Sequence, residues 1–244
     1  MRRSDARSTI LLAAILAAFA ANGLLMAEVL DKTKQVKGTS VHYNVVLPAN
    51  YDPAKTYPGV LAFGGGRQTM DGVERSVQRI WKNEAEQRGY IVVIPAAPGG
   101  DLFFEDGDRI FPEFLDELLK DYRIADRKFH IAGTSNGGIS SFHIASLHPE
   151  YFISVTAFPG LHPEPTDANL RAISNLCIYM HVGEFDQLGW TEPITRQATG
   201  LKQKGLNVHF TIEKGQRHRI DTFTGEGAKR LFDHFEEAQM GCSN

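Results

Sequence analysis

The sequence predicts an α/β protein with a mostly parallel sheet and helices packed on both faces. Three observations predict it. Short, largely apolar runs, the mark of strands buried on both faces, recur at residues 59–63, 90–94, 128–132, 152–158 and 176–182, and 208–213 reads as the last strand. Between them lie segments with apolar residues at helical spacing, of the length that βαβ crossovers need. The run at 128–132 leads through Gly133-Thr134-Ser135-Asn136-Gly137 straight into a helical pattern at 139–147, with Ile139, Phe142, Ile144 and Ala145 as its apolar positions.

Taken in chain order, residues 1–27 differ from the rest. Met1-Arg2-Arg3 and Arg7 form a basic head, and twelve apolar residues follow at 10–21 before Asn22-Gly23 interrupts and Leu24-Leu25-Met26-Ala27 closes the segment. That is the layout of a secretory signal peptide. Cleavage after Ala27 suits the polar run that follows, and cleavage after Ala20 is the alternative. Residues 10–27 make about eighteen positions, the lower limit of a bilayer span, so an uncleaved anchor is the other reading. The Asn-Gly break favours removal. Either way residues 28–244 are expected to be exported, with a membrane contact only through the N-terminal segment if it stays uncut. A chain of 244 residues suits one core of this size.

The next segment, 39–47, alternates Val41, Tyr43, Val45, Leu47 and reads as a half-exposed edge strand. Residues 48–53 form a Pro- and Asn-containing turn. The strand at 59–63 ends in Gly64-Gly65-Gly66. A helix is expected over 73–88 (Val73, Val77, Ile80, Trp81, Ala85), stopped by Gly89. Pro95 ends the strand at 90–94, and a polar, Gly-rich loop with Phe103 and Phe104 covers 96–108. The helix expected at 110–122 has Phe111, Phe114, Leu115, Leu118 and Leu119 on one face. Helices at 191–204 and 227–238 flank the last strand.

Composition excludes several function classes. With net charge −3 and its Lys and Arg scattered, the chain has no basic stripe for nucleic acid. The nine histidines are dispersed, and no C-x-x-C or H-E-x-x-H spacing is present, so no metal or other cofactor is expected. Cys177 lies in an apolar strand and Cys242 near the C-terminus. They form a disulfide tying the tail to the sheet, or else one buried and one exposed thiol.

Chemistry concentrates at the turn around Ser135. A serine at a sharp strand-to-helix turn adopts a strained backbone, and only small residues two before and two after let strand and helix pass closely. The turn also sets the amide of Asn136 and the helix start beside the serine oxygen, where negative charge develops in acyl transfer. A serine hydroxyl needs a base, and the base an orienting acid. In parallel sheets such groups gather at the carboxyl ends of strands. After the strand at 176–182 comes Gly183-Glu184-Phe185-Asp186, and after the last strand Lys214-Gly215-Gln216-Arg217-His218. The residues leave Glu184 and Asp186 both open as the acid. His218 is the base.

These stretches resemble the α/β-hydrolase fold esterases, closest to the secreted polyhydroxybutyrate-depolymerase and feruloyl-esterase-like group and to the "predicted peptidase" group. The resemblance rests on Leu47-Pro48-Ala49-Asn50-Tyr51-Asp52, on residues 57–66, on 133–138, on His181-Val182-Gly183-Glu184-Phe185-Asp186 and on Gly215-Gln216-Arg217-His218, and it covers about residues 40–238. It implies Asp186 as the acid, backbone amides of Gly65 or Gly66 and of Asn136 as oxyanion donors, and a serine esterase acting through an acyl-enzyme on Ser135. The family usually carries His-Gly at its glycine run, whereas this chain has Phe63 there. That departure leaves the backbone donors but removes a side chain that braces the loop. It also keeps open a catalytically silent binding protein beside the other alternative, a serine peptidase of the same fold.

Only about seventeen residues separate Phe158 from Leu176, so no large cap domain is expected and the serine should be open to a small-molecule or polymeric ester. Phe103, Phe104 and Trp190 line that mouth or belong to the core. Arg67 pairs a substrate carboxylate or is simply solvated. His181 reads as a packed strand-end residue, His143 and His148 as surface or structural residues, and Asp221 as part of a loop.

Overall fold

A computed structural model describes residues 28–242; the predicted signal peptide, 1–27, lies outside them. Eight strands form one sheet in the order β1-β2-β4-β3-β5-β6-β7-β8. They are β1 Glu28–Val36, β2 Thr39–Leu47, β3 Tyr57–Phe63, β4 Ile91–Pro95, β5 Ile124–Gly133, β6 Phe152–Ala157, β7 Cys177–Gly183 and β8 Val208–Glu213. From β4 across the sheet to β8 the pairing is parallel; β2 joins antiparallel to β4, and β1 antiparallel to β2. This is the α/β-hydrolase fold that the sequence predicts.

One edge is assigned differently. The alternating strand β2 is interior, because β1 (Glu-Val-Leu-Asp-Lys-Thr-Lys-Gln-Val) pairs along its whole length and becomes the edge. Its polar sequence carries no burial signal, and charged residues on an edge strand discourage pairing with other chains.

Alternation along the central strands splits the core. Leu61, Val93 and Ile131 point to the face covered by α3 (Glu113–Asp121), α4 (Asn136–Leu147) and α6 (Thr191–Gln203). Val60, Val92 and Ala132 point to the other face, where Val73, Val77, Trp81 and Ala85 meet Leu231, Phe232 and Phe235 of α7 (Lys229–Gln239). The helix expected over 73–88 is two helices, α1 Met70–Ser76 and α2 Lys82–Arg88, joined by a π turn at Val77–Trp81. Gly89 caps α2 in the left-handed conformation, φ +75°, the role its position predicts. Between β6 and β7 the chain carries only a short helix, α5 Asp167–Ala172, and no cap domain is present among the described residues. Cys177 and Cys242 form a disulfide, with their Cα atoms 5.5 Å apart, which fastens the C-terminal segment to β7.

Candidate active site

Five loops deliver the site to the carboxyl end of the sheet. The first is the turn from β5 into α4. Ser135 sits there at φ +57°, ψ −122°, a conformation that a non-glycine residue holds only when its surroundings enforce it. The enforcement is visible: a Cβ on Gly133 would collide with the Gly137 carbonyl, and one on Gly137 with the Phe63 carbonyl. The two small residues of the motif are therefore what let α4 cross β5 and β3 so closely. Ser135 N–H donates to the Pro159 carbonyl (2.7 Å) and pins the turn to the end of β6.

The loops after β7 and β8 bring the partners. Ser135 Oγ–H donates to His218 Nε2 (2.8 Å), and His218 Nδ1–H donates to Asp186 Oδ2 (2.8 Å). The other carboxylate oxygen of Asp186 accepts from the Leu188 amide (2.8 Å), so both oxygens are fixed. The Asp186 side chain is fully buried and that of His218 is 14% exposed. Glu184, the other acid left open by the sequence, turns away and accepts from the Gly215 amide (2.9 Å). It ties the acid loop to the histidine loop. So does Gly183, where any Cβ would strike the Arg217 carbonyl. Gln187 adds an acceptor for the His218 amide (3.3 Å), and the Trp190 ring stands edge-on to the imidazole, centroids 4.9 Å apart.

The start of α4 and the glycine run after β3 adjoin Ser135. Asn136 is the first residue of α4, so its N–H has no intrahelical acceptor. The glycine run after β3 lies against it. A Cβ on Gly65 would come within 3.4 Å of Ser135 Cβ, and the Gly66 carbonyl accepts from Asn136 Nδ2 (2.9 Å). Phe63, where the resembled family has histidine, packs inward against Phe103 (4.8 Å) and Phe111 (6.3 Å). The brace comes instead from Asn136 and from Gln68, a residue that sequence reasoning missed. Gln68 is buried and holds a left-handed backbone, φ +54°. Its amide donates to Ser140 Oγ (3.0 Å), its side-chain oxygen accepts from Phe103 N–H (3.2 Å), and its carbonyl accepts from Ala97 N–H (2.8 Å). A lone glutamine in a Gly-rich loop carries no signal that it will be buried.

The other residues singled out from sequence resolve as follows. Phe103 is core and does not line the mouth; Phe104 is half-buried, and only Trp190 touches the constellation. His143 bonds Asp108 (2.8 Å) behind the site. Burial holds His148 below the ordinary histidine value. His181 is packed, as its position predicts, bonding Glu213 (2.9 Å) and His234 (3.1 Å). Arg67 borders a separate surface hollow with Thr69 and Pro98. Asp221 is more than a loop residue, since it pairs both Arg219 and Arg79.

The chain matches the Esterase family over residues 35–234 and belongs to it. Among curated proteins it is similar to dipeptidyl-peptidase 5 of Porphyromonas gingivalis, 32% identical over 129 residues; this matched part is 48% of the chain but only 19% of that much longer protein. Among solved structures it is similar to a thermostable esterase (TM-score 0.69, 17% identity, 88% of this chain and 63% of that one). It is likewise similar to the feruloyl esterase module from Clostridium thermocellum (TM-score 0.64, 15% identity, 86% of each chain).

Proposed function

We propose that this carboxylic ester hydrolase works by a serine mechanism, with Ser135 as nucleophile, His218 as general base and Asp186 as the acid that orients it. The observation that carries the reading is the unbroken chain Ser135 Oγ–His218–Asp186, two hydrogen bonds of 2.8 Å. As Ser135 Oγ attacks the ester carbonyl, its proton passes to His218 Nε2, and Asp186 stabilises the imidazolium. The oxyanion rests on the amides of Asn136 and of the Gly65–Gly66 turn. The imidazolium returns its proton to the departing alcohol, leaving an acyl-enzyme. Water activated by the same histidine then attacks, releasing the acid and restoring the serine.

Ser135→Ala should lower kcat at least about 10³-fold, because the covalent route disappears. A fluorophosphonate probe should label the native protein and not the variant. Ordinary ester turnover by a correctly folded Ser135→Ala protein would sink the assignment.

The similarity to a dipeptidyl-peptidase supports a second reading, peptide hydrolysis by the same three residues. Parallel assays on p-nitrophenyl esters and peptide p-nitroanilides separate the two. Export completes the proposal. The signal-like layout of residues 1–27 supports it, as does the Cys177–Cys242 disulfide, a bond that persists in oxidising compartments.

A further inference from the structure

Next to the turn that carries Ser135 lies a cavity of about 240 Å³ which shares Gly65 with the proposed oxyanion site and whose other walls the serine mechanism does not use. It adjoins three of the site's loops: Gly65 comes from the glycine run, Thr134 immediately precedes Ser135, and Arg219 immediately follows His218. Ile80, Phe158 and Ile220 supply apolar surface. Arg75 and Arg79, one turn apart along α1 and the π turn, join Arg219 in lining it.

The charge of this cavity is unbalanced. Arg219 Nε bonds Asp221 Oδ1 (2.8 Å) and Arg79 reaches the same oxygen at 3.6 Å. Arg75 has no carboxylate within ion-pair range among the described residues. Three guanidinium groups, all exposed, thus face one carboxylate at the rim of a recess partly walled by apolar side chains, and their field is open to screening by salt. Guanidinium forks suit carboxylates, which they bind with two parallel hydrogen bonds. The volume lies below the roughly 300–1,000 Å³ of sites for drug-sized ligands, so a small group fits.

We infer that Arg75, Arg79 and Arg219 form an anion subsite that selects esters carrying a free carboxylate on the acyl or the alcohol half. This deepens the esterase reading and rests on it for turnover. The carboxylate docks against the uncovered Arg75, the neighbouring arginines add to the field, and the ester carbonyl is left over Ser135.

The test compares matched ester pairs by proton release on the whole exported domain: monomethyl against dimethyl glutarate, and 4-acetoxybenzoate against its methyl ester. The native protein should favour the charged member of at least one pair, and the preference should shrink between about 0.01 and 1 M salt as the Debye length contracts. Arg75→Ala should lower the charged-to-neutral ratio of kcat/KM about tenfold, in the range expected for hydrogen bonds to a charged group, and Arg75→Glu should lower it further. The pair that responds identifies the half of the ester that carries the charge. Binding of glutarate, followed by calorimetry, should weaken in the same variants. A ratio unmoved by both variants in both pairs overturns the subsite while leaving the serine mechanism standing. Arg75-dependent glutarate binding with no ester turnover at all has the opposite meaning: the subsite is real and the esterase reading fails.

Discussion

Two of the histidine–carboxylate pairs among the described residues lie side by side at the ends of β7 and β8 with nearly equal geometry, and only one of the two has a serine hydroxyl on its far nitrogen. His218 and Asp186 meet at 2.8 Å, His181 and Glu213 at 2.9 Å. Both lie at the carboxyl ends of β7 and β8 or in the loops that follow. The first pair has a serine hydroxyl on the far nitrogen and a partly exposed ring. The second has another imidazole, His234, on its far nitrogen (3.1 Å), and both partners are buried. Burial lowers the pKa of His181 more than the facing Glu213 raises it, so the ring is neutral. Burial alone would raise the pKa of Glu213, but the bonds from His181 and Arg230 prevail and hold it at about 2. With His181 neutral, the charge opposing Glu213 is Arg230, forked onto it at 2.8 and 3.0 Å. A histidine–carboxylate bond is thus only a scaffold. Its role depends on what the other ring nitrogen faces and whether solvent and substrate can reach it.

Two substitutions probe that difference directly. Asp186→Asn keeps the shape of the side chain but removes the charge that steadies the imidazolium and its tautomer. It should reduce kcat by about 10⁴-fold with little change in melting temperature. Glu213→Ala should act in reverse. It leaves the part-exposed Arg230 without its carboxylate and the buried His181 N–H without an acceptor, and a buried donor left unsatisfied costs about 1–3 kcal/mol. For a domain of this size that is roughly 2–4 °C of melting temperature per kcal/mol. Assayed well below its melting point, Glu213→Ala should retain far more activity than Asp186→Asn. If the two lost activity equally, the assigned division of labour between the pairs would be wrong.

The parts of the fold legible in the sequence are those whose burial is written in side chains. The strands β3, β4, β6 and β7 and the second half of β5 are largely apolar runs, and the Ser135 turn has its flanking glycines because close backbone crossings permit nothing larger. Strand β1 was not legible: an edge strand made of Asp, Lys, Thr and Gln is held by backbone hydrogen bonds, which any residue can make. The break in the helix at Val77–Trp81 leaves the apolar spacing almost unchanged, so periodicity passes over it. At the site, three residues far apart in sequence were found because each follows a strand. Between Glu184 and Asp186 the residues alone leave the choice open, since residues two apart in a loop differ only in where the loop points; the family resemblance implies Asp186, and Asp186 is the one that meets His218. Gln68 and Arg75 were invisible for a related reason: nothing local distinguishes a polar side chain that turns inward, or one that lacks a partner, from an ordinary solvated one.

The contrast between buried and reachable histidines also predicts the pH at which the fold weakens. Burial holds His130 and His234 at about 3 and His162 at about 4; His181 and nearby Arg230 lower His234 further, and His143 lowers His162. His130 is enclosed by Ser154 Oγ (2.7 Å), the ring of Phe235 and Gln239. In the unfolded chain these rings titrate near 6.5. Below that pH the unfolded state takes up protons that the folded state refuses, so stability is complete above about 6.5 and declines as the pH falls toward the folded values. Each such histidine contributes about 1.4 kcal/mol per pH unit within that window. Glu213 adds a further loss from about 4.5 down toward 2, because its folded pKa is depressed. Urea unfolding at pH 7, 6 and 5 should give a free energy that already falls between pH 7 and 6, as the unfolded rings pass through about 6.5, and falls more steeply between pH 6 and 5. His130→Phe, which fills the same apolar space without a titrating group, should flatten that second drop by about one histidine's share. An unfolding free energy constant from pH 7 to 5 would mean that these rings accept protons inside the folded core, and the division between buried and reachable histidines would dissolve.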